Sequence, residues 1–143
     1  MIDELPPEAT GTRVGALRLE VDDLDLAEMT ILAAPGTHDV EAALGSLDQR
    51  RHTELTLVDG AGAYLTVGGG NGRYHVWVSA HDHDDRVVLQ DPDAGGPDEQ
   101  LMIDGRTERH PARDVVGRGL ATAAAREFLR SGRPDPGLTW RTG

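Results

Sequence analysis

Alternating imidazoles and carboxylates at His81-Asp82-His83-Asp84-Asp85 are the first candidates for chemistry. On extended backbone, alternate side chains point the same way, so His81 and His83 could offer two nitrogens to one ion. Imidazole with carboxylate suits zinc, nickel or iron, and such a site would make the chain a small metal-dependent enzyme. Against this, the run lies between two expected strands and is dense in charge. No second ligand cluster has a recognised spacing, and His38, His52, His75 and His110 are scattered singly. A solvated acidic loop accounts for the run, and no metal or other cofactor is expected.

Other candidates resolve to turns. Asp91-x-Asp93 with Gly95-Gly96 resembles the start of a calcium loop, but Met102 stands where the closing carboxylate belongs. Gly68-Gly-Gly-Asn-Gly72 precedes a strand and lacks the lysine and helix of a phosphate loop, so it reads as a hairpin turn. The chain has no cysteine, no lysine and no Gly-x-Ser-x-Gly elbow, which removes common nucleophiles. No catalytic residue is expected. Trp77 and His75 share one face of a strand whose other face carries Tyr74, Val76 and Val78. An exposed aromatic ringed by acids is typical of a protein-binding patch; the alternative is that Trp77 packs under a loop or the N-terminal arm.

The elements that must position these residues centre on Glu54–Ala80. Period-two alternation cut by Asp59-Gly60 and Asn71-Gly72 predicts three strands of an antiparallel meander. Val14 to Val21 predicts an edge strand broken by Asp22, Asp23 and Asp25, and Met29 to Ala33 a short buried one. Thr37 is the expected N-cap of a helix with Val40, Ala43, Leu44 and Leu47 on its apolar stripe, ending near Arg50-Arg51. Val87–Leu89, Leu101–Ile103, Thr107–His110 and Leu138–Trp140 add strands. A longer helix carries Val116, Leu120, Ala123, Ala124 and Phe128 on one face, with Asp114 as its cap and Gly132 at its end. Two helices on one face of a mostly hairpin-connected sheet make an α+β domain over 13–143, after a flexible arm at 1–12.

Composition sets the partners. The 143 residues carry a formal charge of −11, and all 14 basic residues are arginine. Such a surface repels phosphate backbones and membrane headgroups and attracts basic proteins, so neither nucleic acid nor membrane is an expected partner. Four arginines, Arg113, Arg118, Arg126 and Arg130, fall on the long helix, where solvation or pairing with acids is the usual fate. The acidic, proline-bearing start and the absence of an apolar span predict a cytoplasmic chain without a signal peptide.

Leu65-Thr-Val-Gly68, Asp91-Pro-Asp-Ala-Gly-Gly-Pro97, Gly105, Glu108 with Pro111-Ala112, Ala125-Arg-Glu-Phe128, Ser131-Gly132-Arg-Pro134 and Leu138-Thr-Trp140 follow one another in a characteristic order. Through them the chain resembles, over roughly residues 30 to 141, a bacterial immunity-protein family, the first-numbered (Imm-one) of the polymorphic toxin systems. Departures occur at Leu101-Met-Ile103, where the family often has aromatics, and at Asp114-Val-Val-Gly117, where its lead into the helix is more apolar. The arginine-only, glycine-rich composition fits a high-GC actinobacterial source. The resemblance implies a non-enzymatic protein that neutralises a toxin, often a nucleic-acid deaminase, as a one-to-one heterodimer. A deaminase must present a basic cleft to its strand, and an acidic protein can occupy that cleft. The toxin contacts expected on this basis are Trp77, His81, Asp82, His83, Asp84, Asp85, Asp91 and Asp93. An acidic mimic of DNA that blocks some unrelated protein is a further alternative.

Overall fold

A computed structural model describes residues 17–79 and 86–142. The arm expected over 1–12, and the part of the first expected strand before Leu17, lie outside these residues. In chain order the elements are β1 (Leu17–Asp23), β2 (Glu28–Ala33), α1 (Thr37–Ser46), β3 (Glu54–Asp59), β4 (Tyr64–Gly70), β5 (Arg73–Ser79) and β6 (Arg86–Gln90). Then come β7 (Glu99–Ile103), β8 (Arg106–His110), a 3-10 turn at Ala112–Asp114, α2 (Arg118–Ser131) and β9 (Thr139–Thr142). Seven strands form one sheet in the order β2-β1-β3-β4-β5-β6-β9, and β7-β8 form a separate hairpin. Every pairing is antiparallel.

The meander forms as its alternation dictates. Leu55 and Leu57, Leu65 and Val67, and Tyr74, Val76 and Val78 are buried on one face, beneath both helices. Val40 and Leu44 come down from α1 and Leu47 from the residue that ends it, and Ala121, Ala124, Ala125, Phe128 and Leu129 from α2. Each fully buried leucine contributes roughly 1.5–3 kcal/mol relative to exposure. The β4–β5 turn is Asn71-Gly72, both with positive φ (56° and 85°), which is the two-residue hairpin geometry that Asn-Gly favours. The β7–β8 turn repeats it with Asp104-Gly105 (53° and 74°). The arrangement is the expected α+β fold with both helices on one face.

Several boundaries differ from expectation. Gly68–Gly70 belong to β4 and not to the turn. Gly70 lies at φ 148°, and a Cβ there would stand 2.5 Å from the Leu47 backbone, so the strand needs glycine to pass under the end of α1. The cap of α1 is Gly36, whose N–H donates to the Asp39 carboxylate (2.8 Å), and α1 stops at Ser46. Helix α2 is capped by Gly117, and its buried stripe begins at Ala121. Val116 is extended and bridges Tyr74, while Asp114 is buried and no cap. Gly132 ends α2 in the left-handed region, as its position predicted.

The first two strands exchange their anticipated roles. β1 is interior, continues through Asp22 and Asp23, and buries both carboxylates. Asp22 accepts from the Thr53 N–H and hydroxyl and from the Glu54 N–H, and Asp23 pairs with Arg51. Those partners satisfy acids that would otherwise terminate the strand. β2 is the outer strand, and all six of its residues are exposed.

Candidate interaction face

Directly paired residues share a face, so the registers define transverse rows on the side away from the helices. One row runs Ile31, Glu20, Thr56, Thr66, Trp77, Val88 and Arg141 across all seven strands. The row to one side holds Arg18, Val58, Tyr64, Ser79 and Arg86. The row to the other side holds Glu54, Gly68 and His75.

The β7–β8 hairpin sits on the Glu54–Gly68–His75 row. Gly68 admits it, because a Cβ there would lie 2.6 Å from Cγ2 of Ile103. Ile103 and Leu101 form a second buried cluster with Val115. His110 of β8 stacks on His75, with ring centroids 3.7 Å apart. The Met102 N–H donates to Gln49 (3.0 Å), the Gly105 N–H to the Thr53 hydroxyl (3.2 Å), and Arg73 pairs with Glu99.

This cover changes the proton chemistry beneath it. Burial holds the His75 imidazole down to about 4, assisted by the charge of His110 and opposed by the Asp114 carbonyl, to which Nδ1–H donates at 2.9 Å. Glu54 at the hairpin's rim is pushed up to about 7, first by burial and then by Asp104, Asp22 and Glu108. Asp114, 1% exposed, is pushed up by burial, but hydrogen bonds from Arg141 and Gln90 outweigh that and leave it below the ordinary value. Arg141 of β9 reaches it through Nη2 at 2.6 Å.

Trp77 lies one step beyond the hairpin. It is half-buried, with the Arg86 guanidinium carbon 4.4 Å from its ring centroid in a cation–π contact and the His75 ring at 5.4 Å. Thr56, Val58 and Tyr64 around it are likewise half-buried. His75, which strand phase grouped with Trp77 as a candidate for exposure, is instead sealed by His110. The cause is the β7–β8 hairpin, contributed from further along the chain.

The other anticipated contacts divide. His81, Asp82, His83, Asp84 and Asp85 lie outside the described residues. Asp91 and Asp93 begin the turn after β6. The Asp91 N–H donates to the Arg113 carbonyl, its carboxylate accepts from the Asp93 N–H (3.0 Å), and Asp93 is exposed. Arg86 opens β6 and Asp91 follows its close, about 17 Å apart at the ~3.3 Å per residue of a strand. Asp91 and Asp93 therefore stand at one end of the sheet and Trp77 with Arg86 toward the other.

Two clefts lie at the borders of the sheet, the first between its helix-covered side and the end of α2. One of about 1110 Å³ is lined by Val78, Arg86, Glu127, Arg130, Arg133 and Pro134 among others. Arg130 there is paired with Glu127 and Arg86 lies against Trp77, so two of its three guanidinium groups are already engaged. The second, of about 620 Å³, lies between the 94–98 turn and Arg113, Asp114 and Arg141. Among the described residues no group of three or more His, Asp or Glu is arranged to hold a metal ion, and no helix is long and apolar enough to cross a membrane.

Three features escape a reading of the sequence: the His75–His110 stack, the Asp114–Arg141 pair and the exposure of β2. The first two join residues far apart in the chain and have no periodic signal. For the third, Met29-Thr-Ile-Leu-Ala33 has the apolar character of a buried strand, and only its place in the sheet exposes it.

No curated protein matches the chain. Residues 30–142 match the family model described as Immunity protein Imm1. That span contains α1, α2 and strands β3 to β9 whole, and it includes Trp77, the covering hairpin and the turn at Asp91. On this match the chain belongs to the Imm1 immunity-protein family.

Proposed function

We propose that the chain is a non-catalytic inhibitor that binds one cognate bacterial toxin, a nucleic-acid deaminase, as a one-to-one heterodimer in the cytoplasm. It acts by occluding the basic cleft through which the toxin takes its strand. The observation that supports this best is the half-exposed Trp77 with Thr56, Val58 and Tyr64 on a sheet face that the helices do not occupy, in a chain of charge −11. A half-buried aromatic supplies desolvated contact area, and the surrounding negative potential speeds encounter with a cationic surface. The contact includes Trp77, His81, Asp82, His83, Asp84, Asp85, Asp91 and Asp93. A rigid platform favours tight inhibition, because a hydrogen-bonded sheet held from one side by helices and from the other by a hairpin loses little freedom on binding.

The test is titration of the purified chain into the toxin domain encoded by the adjoining reading frame, with deamination of a single-stranded oligonucleotide as readout. Inhibition saturating at one equivalent is expected. Reversing the charges of Asp82, Asp84 and Asp85 should slow association and flatten its salt dependence. An unchanged rate across that series removes the loop from the contact, and undiminished deamination at excess inhibitor sinks the reading.

A further inference from the structure

The large hydrophobic residues that are exposed among the described residues all fall between positions 24 and 32. They are Leu24 (39%), Leu26 (57%), Met29 (50%), Ile31 (58%) and Leu32 (41%). They belong to the β1–β2 hairpin, and β2 is the outermost strand. A clustered apolar surface of this kind marks an interaction site more often than scattered exposure does.

Among the described residues, only β1 pairs with the backbone of that strand. The Ala34 N–H donates to the Leu17 carbonyl (2.9 Å), which fixes the phase of the β1–β2 ladder. In an antiparallel pair the bonded positions alternate. Residues 28, 30, 32 and 34 therefore bond inward to β1, and Met29, Ile31 and Ala33 turn their N–H and C=O groups to the open edge. Natural edge strands are blunted by lysine, proline, a bulge or shortness. Glu-Met-Thr-Ile-Leu-Ala has no lysine or proline and runs six residues in unbroken register with β1.

Charge selects the occupant. Asp25 and Glu28 are exposed at the turn end of the apolar edge, with Arg51 3.8 Å from Asp25, while Glu20 pairs with Arg18 and Asp22 and Asp23 are buried against their own partners. A second copy would carry the same formal charge of −11, and two surfaces of like sign oppose pairing. A cationic partner would find the exposed acids complementary.

We propose that the outer edge of β2 docks an extended segment of the toxin, apolar at alternate positions and flanked by arginine or lysine, which joins the sheet as an eighth strand. The inference rests on the toxin-binding reading above and extends it: Ile31 lies in the same transverse row as Trp77, so one partner can cover the face and wrap its margin.

The experiment uses the full chain and the catalytically inactivated toxin domain from the adjoining reading frame. Ile31→Pro removes an outward N–H while leaving the inward ladder to β1 intact, a place where edge strands tolerate proline. Ile31→Lys removes the apolar contact and sets a cation against the cationic segment. Each should raise Kd roughly tenfold or more, as loss of a buried anchor does. In the wild-type complex, amides 29, 31 and 33 should gain hydrogen-exchange protection. Amides 30 and 32, already bonded, should change little. If either variant fails to fold, by circular dichroism and Tm, the exchange pattern of the wild type decides alone. Unchanged affinity in both folded variants, or no new protection at 29, 31 and 33, overturns the proposal. Should Trp77→Ala weaken binding in that same series, the toxin-binding reading survives it. A wild-type chain that does not bind the toxin domain overturns both. A concentration-dependent dimer of the isolated chain that Ile31→Pro converts to monomer would assign the edge to a second copy instead.

Discussion

The two margins of the large sheet are built on opposite principles. At one, β9 is four residues long, reads Thr-Trp-Arg-Thr, and is tied down by side chains: Arg141 to buried Asp114, and the Trp140 indole N–H to the Asp135 carbonyl at 2.8 Å. At the other, β2 is longer and apolar, and rests on β1 through backbone bonds with all its residues exposed. The first is a margin made safe against further pairing, and the second is one left open to it. The contrast separates a margin fixed by side-chain contacts from one that, on the proposal above, receives a partner strand.

The consequences of substitution should therefore decline from β9 toward β2. Arg141→Ala should be the most damaging, because it leaves a carboxylate that is 1% exposed with only the Gln90 amide. A loss of about 2 to 4 kcal/mol in denaturant unfolding is expected. Loss below about 0.5 kcal/mol would show that the β9 margin is not anchored there.

Gly68→Ala comes next, under the hairpin. Its new methyl group would meet Ile103 at 2.6 Å, and a packed side chain has little room to yield. The cost should be about 1 to 3 kcal/mol. Amide exchange should localise the effect to β7–β8. Ile103→Ala in the Gly68→Ala background should cost less than in the wild type, since it vacates the contested space.

Glu54→Gln, at the hairpin's rim, should act in the opposite direction at neutral pH. The folded carboxyl titrates at about 7 against an ordinary 4.5, so the folded state holds the extra proton between those values. This group's contribution is fully present below pH 4.5 and is lost as pH rises through 7. Removing it should stabilise the protein by about 1 to 2 kcal/mol at pH 8, once partial exposure is allowed for. The wild-type and variant stabilities should converge below pH 4.5. His75 has the reverse sign: its folded value of about 4 lies below an ordinary 6.5, so stability falls as pH drops from 6.5 toward 4. The Glu54→Gln variant should expose that acid-side loss, which the carboxyl otherwise offsets. A flat pH–stability curve for the variant between 6.5 and 4 would count against the sealed imidazole.

Ile31→Lys should be the mildest, within about 0.5 kcal/mol of wild type, since it alters a side chain already 58% exposed. A clear loss of stability would mean that the β2 margin is covered by the chain itself. Near-constant stability with weakened toxin binding separates contact from folding.

Much of the architecture could be read along the chain. Alternation gave the three meander strands, Asn71-Gly72 and Asp104-Gly105 gave the turns, and Gly132 gave the stop of α2, because each is decided by a few neighbouring residues. The candidate face was legible only at Trp77, from its phase against Tyr74, Val76 and Val78. Burial of Asp22 and Asp23 was not readable, since Thr53 and Arg51, which satisfy them, lie some 30 residues away. Nor was the exposure of β2, whose composition belongs to a buried strand.

The sequence alone determined the elements, the helix-facing stripe, the acidity and the likeness to immunity proteins, all of them properties of local pattern or of composition. Tertiary structure alone decided which strand became the margin, which face of β5 was sealed by His110, and which acids would be neutralised. Those outcomes depend on pairings between distant segments. The free energy of such a pairing belongs to two stretches at once, so neither stretch announces it by itself.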